Sequence, residues 1–231
     1  MGFIQLKCLR HNSLGSVVAL LTTSRGVRQI GADMEIAVLT FDGFNELDSF
    51  IAAGILNRMK DAGWNVQITS PSQYVTSMNG VTIQSQQPLE FANQANVVLF
   101  GSGVLTRDIA QDRDILSRLN LNPETQLIGG QCSGTLLVSV LGLLHQIPAC
   151  TDLTTRPWVV ESGVTVLEQP FYADGNLATA GGCLSSKYLA AWVISKLSSR
   201  ADAESAIHYV APVGEKESTV QHCMSVVGAY L

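Results

Sequence analysis

Cys132 sits in the setting most able to make a side chain a nucleophile. It is the centre of Gly130-Gln131-Cys132-Ser133-Gly134, a G-x-C-x-G run between the apolar pair Leu127 and Ile128 and the apolar stretch Leu136 to Leu144. Small residues on both sides permit a sharp strand-to-helix turn, the nucleophile elbow, which thrusts its central side chain out at the carboxyl edge of a sheet. A long apolar helix starting there would aim its first amides at the sulfur, so the sequence predicts a thiolate of lowered pKa. The amide of Ser133 would face an oxyanion on a substrate bonded to Cys132. A second donor is expected from Gly101, Ser102 and Gly103 in "FGSG", which ends the preceding strand. A cysteine without this setting is more often a small, inert, buried hydrophobe. The glycines, the strand-to-helix position and the paired "FGSG" turn together favour reactivity.

The remaining chemistry-bearing residues narrow the possibilities. Five cysteines, Cys8, Cys132, Cys150, Cys183 and Cys223, form an odd set without a CxxC pair, which suggests neither a disulfide framework nor a zinc knuckle. Reduced thiols in a cytoplasmic protein are expected. His11, His145, His208 and His222 show no metal-ligand spacing, so neither metal nor cofactor is expected. A net charge of −5 without a basic cluster argues against nucleic acid. No apolar run reaches the length of a membrane span. The partner implied is a small electrophilic substrate.

The elements that must position Cys132 follow from hydrophobic periodicity. From Glu35 the chain alternates short β-branched runs with helical patterns, the sign of an α/β fold with a mostly parallel sheet. Strands are predicted at 36–40, 66–70, 97–100, 126–129 and 177–180. Between the first two, "NELDSFIAAGILNRMKDAG" carries apolar residues at helical spacing and stops at Gly63, an expected C-cap. Asn79-Gly80 predicts a hairpin, and Asp174-Gly175 the turn of a second hairpin or of an irregular strand pair. "SSKYLAAWVISKL" and "ESTVQHCMSVVGAYL" read as late helices, and His145 as a cation at the end of the elbow helix. Residues 34–231 make one domain. Residues 1–33 are expected to be a loosely attached extension or an upstream start. Their weak signal-peptide pattern is undone by Arg25 and Arg28, which fall where a cleavage site belongs.

Several segments carry a family resemblance: "IAVLTFDGFNELD", "VVLFGSGVLTRD", "GGQCSGTLLVSVLGLL", "ATAGG" and "YVAPVGEKE". Over residues 34–231 the chain resembles the DJ-1/ThiJ/PfpI superfamily, and within it looks closest to the isonitrile hydratase branch. The resemblance implies a flavodoxin-like three-layer sandwich, usually a homodimer. It also implies an elbow cysteine with an acid from the first crossover helix beside its sulfur, which maps onto Asp48. Asp48 also makes sense from topology, because a helix beginning just past the first strand starts at the same sheet edge as the elbow. There a carboxyl group could donate to the sulfur and shuttle a proton to substrate. Glu46 is the weaker alternative. An ordinary acidic residue in a helix's first turn would look the same in sequence.

Many relatives place histidine twenty residues after the nucleophile, where this chain has Asp152. A Cys-His peptidase would lack its base. Isonitrile hydration to an N-substituted formamide needs only the cysteine and the acid for its first stages, and its enzymes carry a hydroxyl residue after the cysteine, as Ser133 does here. They commonly read "LDLTGP" where this chain has "LDSFIA", so the pocket wall differs. Asp152, Gly182 and Cys183 join Gly101, Ser102 and Gly103 as candidate oxyanion or substrate residues. Cys183 follows a strand and precedes a helix at the same edge, where it could resolve a sulfenic acid on Cys132 or simply pack. A redox or glyoxal-handling stress protein and a non-catalytic ligand-binding module are the alternative functions.

Overall fold

The computed structural model describes residues 34–231, and the expectation for residues 1–33 lies outside them. Nine strands are β1 (Met34–Leu39), β2 (Trp64–Ser70), β3 (Tyr74–Thr76), β4 (Thr82–Gln84), β5 (Gln87–Pro88), β6 (Val97–Phe100), β7 (Leu127–Gln131), β8 (Phe171–Asp174) and β9 (Leu177–Ala180). Seven form one sheet in the order β5-β2-β1-β6-β7-β9-β8, parallel except for β8, which runs antiparallel to β9. The central strands are continuous apolar runs because both faces are covered: every residue of β6 is buried, as is every residue from Ile36 to Leu39 of β1. On one face Ile36, Val38 and Leu99 pack with Leu189, Trp192 and Ile207; on the other Leu39, Phe100 and Ile128 pack with Leu137 and Val159. The result is the flavodoxin-like sandwich.

The helices are α1 (Glu46–Leu56), α2 (Thr106–Ile109), α3 (Arg113–Leu116), α4 (Gly134–Val140), α5 (Arg156–Glu161), α6 (Ser186–Leu197), α7 (Arg200–Val210) and α8 (Lys216–Val227). Asn45 caps α1 by accepting from the Leu47 amide at 3.1 Å. A 3-10 extension, Asn57–Ala62, then ends at Gly63 in the left-handed conformation, the stop expected from sequence. Both hairpins form. β3 pairs antiparallel with β4 across the Asn79-Gly80 loop, and β8 turns into β9 through Gly175 and Asn176.

One expectation about helices is corrected, and one helix was not anticipated. The elbow helix α4 spans only 7 residues rather than continuing to Leu144. Gly142 at φ 75° follows its end, and Leu144 is buried from beyond it, so hydrophobicity outlasts the helix. His145 therefore does not end that helix. α7 had no counterpart among the expected elements: it buries only Ala203, Ala206 and Ile207, too few large side chains for a clear apolar stripe.

The chain's order reverses between β1 and β6, the switch point where the loops leaving neighbouring strands part and open a crevice. The loop after β1 leads to α1, the loop after β6 carries Ser102, and β7 ends at the elbow.

Candidate functional site

Cys132 forms the elbow in the left-handed region, at φ 48°. That conformation costs a residue with a Cβ roughly 1–2 kcal/mol, and the surroundings hold it there. The Cys132 amide donates to the Ala180 carbonyl at 2.8 Å, and the Thr151 hydroxyl donates to the Cys132 carbonyl at 2.7 Å. Gly134 allows the tight approach: a Cβ there would lie 2.3 Å from the Phe100 carbonyl oxygen. The elbow expected from the G-x-C-x-G run is present, and its second glycine is sterically required.

The sulfur is not the exposed thiolate that the sequence suggested. Cys132 is 3% exposed. Burial pushes its thiol far upward, and the Asp48 carboxylate pushes it further, with smaller contributions from Cys183 and Asp152. Donation from Gln131 opposes them. The dipole of a 7-residue helix does not outweigh desolvation and a neighbouring carboxylate. These surroundings favour the thiol over the thiolate at Cys132.

Asp48, in the first turn of α1, is 2% exposed. The Ser102 hydroxyl donates to its Oδ2, and Gln131 Nε2 lies 3.4 Å from Oδ1. Burial raises the carboxyl's pKa, while hydrogen bonds from Ser102, Cys132, Cys183 and Gln131 partly offset that rise. The ligand atoms of Asp48, Cys132 and Cys183 all lie within 4.8 Å of one another. Three ionisable groups thus surround one point, and in each the surroundings shift the balance towards the protonated form relative to water. Two sulfurs and a carboxylate oxygen are donor types that zinc takes, a set that sequence spacing did not indicate.

Gln131 was not singled out from the sequence. It is 2% exposed, and its Nε2 reaches Cys132 Sγ at 3.3 Å and the Gly182 carbonyl at 2.9 Å as well as Asp48. Its Oε1 is buried without a hydrogen-bond partner. The amide therefore ties sulfur, carboxyl and the β9 turn together while leaving an acceptor free. The only sequence signal was a polar residue at the end of a strand whose other members are apolar or glycine.

The remaining candidates divide into two groups. Cys183 joins the cluster, and Asn45 Nδ2 donates to its sulfur at 3.3 Å; Gly182 supplies the acceptor for Gln131. Ser102 contacts Asp48. The Gly101 amide donates to Leu39 at 2.9 Å and the Gly103 amide to the Ser133 hydroxyl at 3.1 Å, so both are engaged in the resting structure. The Ser133 hydroxyl also meets Thr106 Oγ1 at 2.9 Å, which places it in the wall between the elbow and the β6 loop. Asp152 accepts from the amides of Thr154 and Thr155 through Oδ1 at 2.9 and 3.0 Å and thereby shapes the turn before α5. Its charge reaches Cys132 only as the smallest of the effects raising that thiol. Glu46 points to the hairpin, accepting from the Ser77 hydroxyl at 2.5 Å and Asn79 Nδ2 at 2.8 Å.

Comparison with known proteins supports the architecture. A model described as the DJ-1/PfpI family matches residues 34–196. A ThiJ/PfpI family protein from Pseudomonas syringae superposes with a TM-score of 0.68 at 18% identity, covering 89% of this chain and 96% of its own. A DJ-1 superfamily protein from Salmonella typhimurium gives 0.67 at 20% identity over 78% of this chain and 99% of its own. DJ-1beta from Drosophila melanogaster gives 0.66 at 18% identity over 78% and 98%. At these identities the likeness is one of fold. No curated protein matches the sequence.

Proposed function

The chain belongs to the DJ-1/PfpI family, and from that premise we propose a cysteine-dependent enzyme that hydrates a small isonitrile to an N-substituted formamide. The observation that carries the reading is the buried Asp48 carboxyl beside the Cys132 sulfur, where the carboxylate strengthens the thiol's hold on its proton and the thiol's hydrogen bond stabilises the carboxylate. Isonitrile hydration begins with addition of S–H across one carbon, so a protonated thiol with an adjacent carboxyl is the starting state it needs. In its carboxylate form Asp48 accepts the Cys132 proton as sulfur bonds to the terminal carbon and returns it to that same carbon, leaving a thioimidate. Water then adds to the carbon, the C–S bond breaks, the nitrogen takes a proton, and the formamide leaves with the thiol restored. The unpartnered Gln131 Oε1 is a ready acceptor for that water.

The groups acting on the Cys132 sulfur are Asp48, Cys183, Gln131 and Asp152. None is the histidine that a Cys-His peptidase uses, which favours addition chemistry over acyl transfer. The test is production of N-cyclohexylformamide from cyclohexyl isonitrile by the full chain. Turnover that disappears in Cys132→Ala is expected. Absence of turnover with alkyl and aryl isonitriles alike overturns the reading.

We further infer a cytoplasmic homodimer. The four described cysteines are all free thiols. Phe50, Leu184, Tyr209 and Val210 are exposed along one groove between α1, the start of α6 and the end of α7, an apolar surface suited to a second copy. Sedimentation of the full chain at micromolar concentration checks this, with a monomer as the contrary result.

A further inference from the structure

Cys183 is the member of the acid cluster that isonitrile hydration leaves unused. We infer that Cys132 and Cys183 form a dithiol centre, which a hydroperoxide converts to an intramolecular disulfide. The two sulfurs lie within 4.8 Å of each other, and a bond of about 2.05 Å requires them to close by roughly the length of one rotamer change.

The surroundings permit that movement on one side only. Cys132 is fixed by the elbow. Cys183 begins a one-turn 3-10 segment, Cys183–Ser185, just after Gly182 at φ 89°. That segment reaches the surface, where Leu184 is 68% exposed, and Cys183 itself is partly exposed. Its sulfur is held by side chains, with Asn45 Nδ2 donating to it at 3.3 Å and Asp48 and Cys132 against it. Cys150 and Cys223 are fully buried, and neither belongs to the cluster.

The chemistry balances with a hydroperoxide as oxidant. One thiol gives its proton to the Asp48 carboxylate, its sulfur takes the hydroxyl group as the O–O bond breaks, and the proton passes to the departing alkoxide or hydroxide, which leaves as an alcohol or water. The second sulfur attacks the first, the S–S bond forms, the S–O bond breaks, and the hydroxyl departs as water with the second thiol's proton. Asp48 touches both sulfurs and can carry the protons between them. In sum, two thiols and one hydroperoxide give one disulfide, one alcohol and one water.

The experiment treats the reduced full chain with a small excess of cumene hydroperoxide, alkylates the remaining thiols and maps the peptides by mass. A Cys132–Cys183 linked pair, lighter by two hydrogen atoms and reopened by dithiothreitol, is expected. In Cys183→Ser the linked pair is absent, and Cys132 gains two oxygen atoms as a sulfinate. A wild-type protein whose Cys132 reaches the sulfinate while Cys183 stays alkylatable overturns the inference, as does one in which neither thiol is oxidised. The wild-type map decides the matter even if the variant fails to fold. Isonitrile turnover is measured on reduced protein, so it fails or succeeds independently.

Discussion

Cys132 at the elbow and Cys223 in α8 are both buried free thiols, the first 3% and the second 0% exposed. Around Cys223 the protein is apolar packing: it belongs to the cluster with Leu189, Trp192 and Ile207, and burial lifts its thiol to about 11, with the Lys187 charge pulling the other way. Around Cys132 equal depth is filled with Asp48, Gln131, Ser102 and Cys183, and the backbone is bent into the left-handed region. Depth alone thus does not distinguish an inert thiol from one equipped for proton transfer. The difference lies in which neighbours can give or take a proton.

The largest expected effect separates the two thiols outright. Cys132→Ala should abolish isonitrile turnover with the fold intact, whereas Cys223→Ala should keep turnover and cost about 1–2 kcal/mol in chemical denaturation, within the usual range for buried substitutions. Equal loss of turnover in both variants would break the comparison. Asp48→Asn comes next, with turnover expected to fall about 10²–10⁴-fold, the span typical of general acid–base groups.

The stability of that variant sharpens the contrast. The folded protein raises the Asp48 pKa above its ordinary 3.8, so the fold favours the protonated form. The contribution to stability is complete below that ordinary value and is lost as pH rises through the raised one. Asn removes the ionisation, so Asp48→Asn should melt at a temperature equal to or above wild type at neutral pH, and the gap should close in acid. A variant less stable at pH 7 than wild type, by a margin that does not change with pH, would contradict this assignment.

Smaller effects follow from geometry. Gly134→Ala forces a methyl group against the Phe100 carbonyl and should destabilise the protein by about 1–3 kcal/mol, the range for overpacking. Denaturant titration measures it, and a neutral result would mean that the elbow can relax. Gln131→Leu should lower turnover by about tenfold, the equivalent of one hydrogen bond near 1.4 kcal/mol, while leaving Cys223 alkylation in mild denaturant unchanged.

Much of this arrangement was legible in the residues. β6 and β9 fall at their expected limits, and both glycine-turn hairpins form, because local propensity and pattern agree there. The elbow was legible because the glycines flanking Cys132 have a steric purpose. The charge state of its sulfur was not: burial and the approach of Asp48 are three-dimensional facts, and they outweigh the helix dipole on which the thiolate expectation rested. Gln131 escaped notice because a single polar residue in a strand has no periodicity to betray it. The overlong elbow helix had the opposite cause. Leu141, Leu143 and Leu144 continue the apolar pattern, yet they contribute to the core from irregular backbone.

The Glu46 carboxylate is clasped by Ser77 and Asn79 at the tip of the β3–β4 ribbon, two positions along the same helical turn from Asp48. An outlying loop is thereby moored to the first turn of the helix that carries Asp48. Asn79→Ala removes one of the two bonds that hold Glu46 while the Ser77 bond and every atom around Cys132 stay in place, so a change in turnover in that variant is expected to come from the tilt of this helical turn alone.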